Sequence, residues 1–428
     1  MKSDKLLSSA YNSLLLGLSP ALISGLLVKG LRSREGLNRW RERLGRVPFT
    51  VESGAIWVHA VSVGEVQAAL PLIHELKSSR PQGQILVTTT TPTGSKQVES
   101  QLGNTVLHCY LPLDLPFSVK SFLDTVRPAL AIIMENESWP NLFWQCHGRR
   151  IPVVLANARI SPSTFKTYQR IRKLMQSLLR DVTVLAKSWE DADRFLHLGA
   201  NPELTRVCGN LKYDLRLDRG LVEQGRELRS NLKGHSFVWV GASTREGEEE
   251  QLLRAHAFVL EKHPDALLLL APRHPERFPE VAQMCHKLGF SLHRRSDGLF
   301  PADKTSVYLG DSMGELPLYY AAADSAFVGG SLVPVGGHNP LEPAALKLPI
   351  LMGPHVFNFA EITGMLSKQE GLVKVQDESE LAPLLLRLIQ DPAFRWQRGE
   401  KAGAVLEQNQ GAVRCVLSCL DQLLTTED

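Results

Sequence analysis

A chain of 428 residues is longer than one ordinary hydrophobic core supports, so two domains are expected. With 43% hydrophobic and 22% charged residues and no biased tract it belongs with folded globular proteins, and a formal net charge of +3 is too small to argue for a nucleic-acid partner. Six cysteines, at 109, 146, 208, 285, 415 and 419, form no CxxC and no paired clusters, which reads as reduced thiols in a cytosolic compartment and as neither a zinc site nor a disulfide framework.

The first element is an apolar stretch over residues 6–28, LLSSAYNSLLLGLSPALISGLLV. It is long enough to span a bilayer, although five serines, Asn12 and Pro20 dilute it. No small-residue cleavage site follows, which argues against a signal peptide. A spanning helix and a helix lying in the interface both remain open. Next comes RSREGLNRWRERLGR, with six arginines against two glutamates between Arg32 and Arg46. A second run, from Arg159 to Arg180, holds four arginines and two lysines with no acid. Each is readable as a solvated helix face; together they suit an anionic partner such as lipid headgroups on the cytoplasmic face.

Strand and helix then alternate. Short apolar, β-branched runs occur at 55–61 (AIWVHAV), 84–90, 129–134, 151–157 and 182–187, with helical patterns such as EVQAALPLIHELKSS between most of them. A polar, charged stretch follows from about Asp214 to Gly234. Alternation restarts at 237–243 (FVWVGAS), 266–272, 306–311, 325–331 and 348–353, and a helical segment from about Arg395 to Leu424 ends the chain. Two doubly wound α/β halves, each a parallel sheet covered on both faces, are the economical reading.

Ligands bind such sheets at the carboxyl ends of strands, so the loops there carry the candidate chemistry. In SVGEV, Ser62 and Glu65 have the spacing of a capping box, and Glu65 is equally placed to act as a general base. TTTTPTGS offers hydroxyls either to an oxygen-rich ligand or to a capped turn. In ENESWPN, Glu135 and Glu137 follow a buried strand and need a cationic ligand group, a nearby base or a shared proton; Arg159 of ANARIS stands on the same rim. In the second half, APRHPERF sets Arg273 and His274 at a strand end, suited to a phosphate or to a helix terminus. DSMGEL opens a helix at Ser312–Glu315, with backbone N–H groups exposed there. GGHNPLEPA uses glycines for close approach and starts a helix at NPLE, where Glu342 is either a capping carboxylate or a ligand-holding one. Lys212 of GNLKYD precedes the polar stretch. Walker A, GxGxxG, HExxH and GxSxG patterns are absent from the sequence.

The blocks WVHAVSVGEV, TTTTPTGS, ENESWPN, LANARIS, GNLKYD, APRHPERF, DSMGEL and FVGGSLVPVGGHNPLEPA, in this order along essentially the whole chain, resemble the 3-deoxy-D-manno-octulosonic acid (Kdo) transferases of Gram-negative bacteria. The resemblance implies a GT-B fold: two Rossmann-like doubly wound domains facing an interdomain cleft, with an N-terminal membrane-associating helix. It implies an anchor segment over 1–31, an acceptor-binding domain over 32–215, a linker over 216–235, a donor-binding domain over 236–394, and a terminal helix over 395–428 that could return to the first domain. The implied activity is transfer of Kdo from CMP-Kdo to the lipid A precursor at the cytoplasmic side of the inner membrane, with no cofactor and no metal. Glu65 resembles the general base, and Glu135 and Lys212 the transition-state stabilisers. Pro272, Arg273, Met313, Gly314, Glu315, Asn339, Pro340, Leu341 and Glu342 match the CMP-contacting segments. Arg32, Arg34, Arg39, Arg41 and Arg159 are expected on an acceptor or membrane surface. The rival readings are another GT-B nucleotide-sugar transferase or epimerase, and a two-domain protein that binds an anionic ligand without turnover.

Overall fold

A strand buried on both faces is apolar at nearly every position, because it lacks a solvent side on which to alternate. The runs AIWVHAV and FVWVGAS come close to that, interrupted only by His59, which bonds Thr88 at 2.9 Å, and by Ser243, and in the computed structural model they become central strands. The structure describes residues 7–13, 15–17 and 39–425. The chain divides into two units, residues 1–214 with 410–428, and residues 215–409.

The first unit holds a seven-stranded parallel sheet of β1 (Ile56–His59), β2 (Ile85–Thr89), β3 (Leu107–Tyr110), β4 (Leu130–Met134), β5 (Val153–Ala158), β6 (Val182–Ala186) and β7 (Thr205–Val207), in the order β3-β2-β1-β4-β5-β6-β7. Successive residues of one strand serve opposite cores. Trp57, Leu86, Ile133 and Leu155 enter one apolar cluster, and Ile56, Val58, Val87 and Ile132 enter the other. The second unit repeats the plan with β8 (Phe237–Thr244), β9 (Ala266–Pro272), β10 (Leu292–Arg294), β11 (Val307–Leu309), β12 (Ser325–Val328), β13 (Ile350–Met352) and β14 (Leu372–Lys374), in the order β10-β11-β9-β8-β12-β13-β14. Phe237 and Trp239 point into one of its cores, Val238 and Val240 into the other. This is the two-sheet α/β architecture expected of a GT-B protein.

Three expectations change. The stretch 216–235, expected as a linker, contains the helix Arg219–Asn231, capped by Asp218 and packed within the second unit. Its Gly225 lies so close to the helix Leu316–Ala322 that an added Cβ would sit 2.2 Å from the Leu318 carbonyl. The terminal segment is two helices. Pro392–Asn409 belongs to the second unit, and Ala412–Thr425 belongs to the first. They part at Gly411, whose φ of 107° a side chain would resist. Last, Cys208 and Cys415 are joined in a disulfide across 207 residues of sequence, against the reading of all six cysteines as free thiols. The topology lays the end of β7 beside the last helix, which residue spacing does not reveal.

Among the described residues, no helix is long and apolar enough to cross a membrane. Most of the apolar stretch 6–28 lies outside them, as do Arg32 and Arg34. The described residues 7–13 are helical and dock on the first unit: the Tyr11 hydroxyl donates to Asp114 at 3.0 Å, and Asn141 donates to Asn12 at 2.7 Å.

Candidate functional site

In the first unit the chain moves from β1 outward through β2 and β3 and then from β4 outward through β5, β6 and β7, so strand order reverses between β1 and β4. That reversal opens a crevice at the carboxyl ends. The turn after β1 carries Glu65, and the turn after β4 carries Glu135 and Glu137.

Glu65 sits in the first turn of the helix Val63–Ser79 and is 8% exposed. Its Oε2 accepts the Val61 N–H at 2.8 Å and its Oε1 accepts the Ser62 hydroxyl at 3.3 Å. The Ser62 side chain makes no cap of its own, so only the glutamate half of a capping arrangement is present. Burial pushes the Glu65 carboxyl up to about 7, with repulsion from Glu135 and Glu137 adding to the rise and the Val61 and Ser62 hydrogen bonds opposing it. A carboxyl poised near neutrality can take a proton, whereas a plain helix cap gains from full ionisation. The hydroxyl run after β2 braces this turn. Thr90 and Thr91 donate to the Val61 carbonyl at 3.3 and 3.1 Å, and Thr91 caps its own helix by accepting the Gly94 N–H at 3.0 Å.

Glu135 adopts φ 60°, a left-handed conformation costing about 1–3 kcal/mol in a residue with a side chain. Its N–H donates to the Ala156 carbonyl at 2.9 Å, and Arg159 donates to its carboxylate at 2.7 Å. The base that Glu135 needs is therefore Arg159, itself 55% exposed. Burial, followed by the nearby Glu135, raises the Glu137 carboxyl. Asn157, at the end of β5, also has a left-handed φ of 53°. Its side-chain oxygen accepts the Leu211 N–H at 3.1 Å, which ties the turn carrying Lys212 to this end of the sheet. The same turn, Leu211–Asp214, packs on the Glu65 helix. Glu65 and Glu135 thus face each other at this end of the sheet, and the turn bearing Lys212 is fastened to the same end.

The basic run before β1 is spent differently from expectation. Arg39 donates to Glu42 at 2.7 Å and to Ser95 at 2.9 Å and lies 4.4 Å from the Tyr110 ring centre; Arg43 stacks on the same ring at 4.2 Å. Buried Glu42 accepts the Tyr110 N–H at 2.7 Å. This cluster fastens the helix Trp40–Arg43 to β3, so Arg39 is committed internally, while Arg41 is exposed beside the half-exposed Trp40. In the second run, Lys166, Arg170, Arg172 and Lys173 are exposed on the helices Pro162–Arg170 and Arg172–Leu179.

In the second unit the reversal falls between β8 and β12. At the end of β8 the pairing with β9 slips between Ala242 and Thr244, and Ser243 takes φ 54°. Gly329 follows β12 so closely that a Cβ there would lie 2.6 Å from the Ser243 carbonyl, which explains a glycine at that point. Glu248, fully buried, accepts the N–H groups of Gly330, Ser331, Leu332 and Arg245 at 2.6, 2.9, 2.9 and 2.9 Å. One carboxylate thereby locks the glycine turn after β12 onto the loop after β8.

Around this lock lies a basic cluster. Arg245 donates to His338 Nε2 at 3.3 Å and also contacts His274 Nε2. Burial and then the neighbouring Arg245, Arg273 and His274 hold His338 down to about 4, and burial and Arg273 lower Arg245. Such a concentration of positive charge calls for an anion. Arg273, its N–H bonded to the Thr244 carbonyl at 3.0 Å, follows Pro272 at the end of β9. Glu342 lies in the first turn of the short helix Leu341–Ala345, where Asn339 donates to it at 3.4 Å. Burial raises its carboxyl to about 7, while Asn339 and the Arg273 charge act in the opposite sense. Leu341 is fully buried and Pro340 is buried, so they anchor the turn. Gly336 and Gly337 have φ of 103° and 76° and are packed against Phe357, Asn358 and Met352. After β11, Met313 is 50% exposed, Gly314 has φ 83°, and Glu315 accepts from Arg295 at 2.9 Å and is bonded by Ser312. All nine expected donor-side residues therefore stand at the end of β9 or after β9, β11 or β12 of one sheet.

Sequence reasoning passed over Asn157, Arg245, Glu248 and His338. Asn157 and His338 lie inside the motifs LANARIS and GGHNPLEPA, and Glu248 is one of three acids opening the helix Glu248–Leu260. Among the described residues, the group of side chains with metal-ligand spacing is Cys208, Cys415 and Cys419, partly consumed by the disulfide.

Residues 38–215 match the family model described as 3-deoxy-D-manno-octulosonic-acid transferase (kdotransferase). The chain is 42% identical to the 3-deoxy-D-manno-octulosonic acid transferase of Haemophilus influenzae over 97% of its own length and 98% of that protein. It is 34% identical to the enzyme of that description from Bordetella pertussis, over 97% and 99% of the two chains. Among solved structures, the UDP-GlcNAc 2-epimerase of Neisseria meningitidis bound to UDP-GlcNAc aligns with a TM-score of 0.55 at 13% identity, covering 86% of this chain and all of that one. At that identity the likeness concerns the fold alone.

Proposed function

The chain belongs to the 3-deoxy-D-manno-octulosonic acid transferase family and is a Kdo-transferring glycosyltransferase, and from that premise we propose that it takes Kdo from CMP-Kdo and places it on the lipid A precursor with inversion at the anomeric carbon. The observation that carries the mechanism is the Glu65 carboxyl, set at the strand-order reversal and held near neutrality by burial. Glu65 removes the proton from an acceptor sugar hydroxyl, whose oxygen attacks the anomeric carbon as the CMP phosphate departs. That carbon bears a carboxylate and has no adjacent hydroxyl, so positive character develops in the sugar ring. Glu135 faces that charge, and Lys212 offsets the Kdo carboxylate and the leaving phosphate.

The second unit is assigned to the donor. Arg273, supported by Arg245, meets the phosphate, and Glu342 with Asn339 accepts and fixes the ribose hydroxyls. CMP leaves with a single phosphate, for which basic side chains suffice in place of a divalent ion. Arg41 and the exposed cations at Lys166, Arg170, Arg172 and Lys173 support a basic surface for anionic lipid on the cytoplasmic side of the inner membrane; Arg32 and Arg34 are assigned to the same surface from the sequence. Mass spectrometry of the product made from CMP-Kdo and lipid A precursor by the purified enzyme tests the reading, with UDP-sugars as the competing donors. A Kdo-sized mass increment from CMP-Kdo alone is expected. Transfer from a UDP-sugar and none from CMP-Kdo would refute the donor assignment.

A further inference from the structure

The first unit contains three sulfurs that the proposed reaction does not use. Cys208 follows β7, and Cys415 and Cys419 stand one turn apart on the helix Ala412–Thr425. Cys208 and Cys415 are bonded, and all three sulfur atoms lie within 4.8 Å of one another. Cys419 is buried, and Arg206 Nη1 donates to its sulfur at 3.4 Å, which sets a guanidinium beside the atom that carries charge during exchange. Cys208 and Cys415 are partly exposed.

We propose that Cys208, Cys415 and Cys419 form a thiol–disulfide exchange site that tethers the turn bearing Lys212 to the last helix. In the exchange, the Cys419 thiolate forms a bond to the Cys208 sulfur and the Cys208–Cys415 bond breaks. Its electron pair leaves on the Cys415 sulfur, which ends with the proton Cys419 gave up, so the exchange needs no outside oxidant. Attack on the Cys415 sulfur instead would join two residues of one helix at i and i+4. Their Cβ atoms stand about 5–6 Å apart, against the roughly 3.5–4.5 Å a disulfide requires. Exchange therefore moves the tether one turn along the helix, about 6 Å. Release of the tether takes reduction by an external dithiol, which supplies two electrons and reaches the partly exposed Cys208–Cys415 bond.

The tether matters because of what lies between its ends. Residues 209–214 run from Cys208 to Asp214, and Asp214 caps the same helix by accepting the Gly411 and Val413 N–H groups, both at 2.7 Å. The turn is thus fastened to one helix at both ends, by a covalent bond at one and by a carboxylate at the other. Opening the covalent end leaves the cap, the Asn157–Leu211 hydrogen bond and the packing of buried Leu211 and Tyr213 to hold it.

Full-length oxidised enzyme, quenched with a maleimide and digested without reduction, reads the linkage directly and independently of any role for Lys212. Peptides linked 208–415 and 208–419 are both expected. The Cys419→Ser variant should show the first alone, and Cys415→Ser the second alone. A wild-type digest holding only the 208–415 peptide, or no linked peptide, overturns the exchange whatever the variants show. Hydrogen exchange before and after a dithiol reductant tests the tether: amides 209–214 should exchange on the order of tenfold faster once reduced, as an opened local unit does. Unchanged protection there overturns the coupling.

Discussion

Raising the pH from 6 to 8 is the most direct test of Glu65 as a base. An acid with a pKa of about 7 is about 9% ionised at pH 6 and about 91% at pH 8, so a reaction needing its carboxylate speeds up about tenfold over that interval. A glutamate at its ordinary 4.5 would already be about 97% ionised at pH 6 and would leave the rate almost flat. Steady-state transfer to a detergent-dispersed acceptor, with donor saturating at every pH so that the Glu342 dependence of donor binding drops out, distinguishes the two. The same burial has a stability consequence of opposite sign. Since the folded-state pKa lies above the unfolded one, the carboxyl favours the folded state fully below about pH 4.5 and loses that contribution as pH rises through about 7. A rise of that size corresponds to about 3 kcal/mol. Glu65→Gln keeps the shape and an oxygen for the Val61 N–H, so it should lose roughly 10²–10⁴-fold in transfer. Its resistance to denaturant should also rise relative to wild type between pH 5 and pH 8. A flat rate profile, near-normal turnover of Glu65→Gln, or a stability difference that ignores pH would each reduce Glu65 to a helix cap.

On the donor side, Arg273→Ala and Glu342→Ala should each weaken CMP binding by roughly 1.5–3 kcal/mol in a calorimetric titration, with little change in acceptor affinity. Because the Glu342 carboxyl is raised to about 7 and accepts from hydroxyls more strongly when ionised, CMP affinity should also increase as pH rises through that value in wild type and stay level in Glu342→Gln. Glu248→Ala strands buried backbone N–H groups at about 1–3 kcal/mol apiece, so thermal unfolding should show the second unit destabilised by at least about 3 kcal/mol, with Glu248→Gln intermediate. Arg39→Gln should lower stability of the first unit through loss of its Glu42 and Ser95 bonds, whereas Arg41→Gln should leave stability unchanged and weaken sedimentation with anionic liposomes at low salt.

What the sequence showed and what it hid follow one physical rule. Ten strands were legible, and each of the four it missed, LHCY, TRV, LHR and LVK, proves to be the edge of a sheet. A central strand is packed on both faces and flanked on both sides, which keeps it mostly apolar; an edge strand keeps a solvent-facing side, so its apolar signal fades. The same reasoning separates the two kinds of carboxylate. Glu65 and Glu342 were legible because each stands in the first turn of a helix, a place where local chemistry limits the choice of residue. Glu248 was not, since its partners at Gly330, Ser331 and Leu332 lie more than eighty residues away and the pairing exists only once β8 and β12 are neighbours.

The arginines mark the limit of reading charge along the chain. Arg39 and Arg41 are two residues apart in one basic run, yet one closes a buried cluster with Glu42 and Tyr110 and the other faces solvent. Along the chain both are cations of equal charge. In space, Glu42 is taken out of water, and a buried carboxylate costs several kcal/mol unless a cation and N–H donors surround it. That demand assigns Arg39 and the Tyr110 N–H to Glu42 and leaves Arg41 available to a partner. A basic run therefore acts on an anionic surface only through the members that no buried acid has claimed.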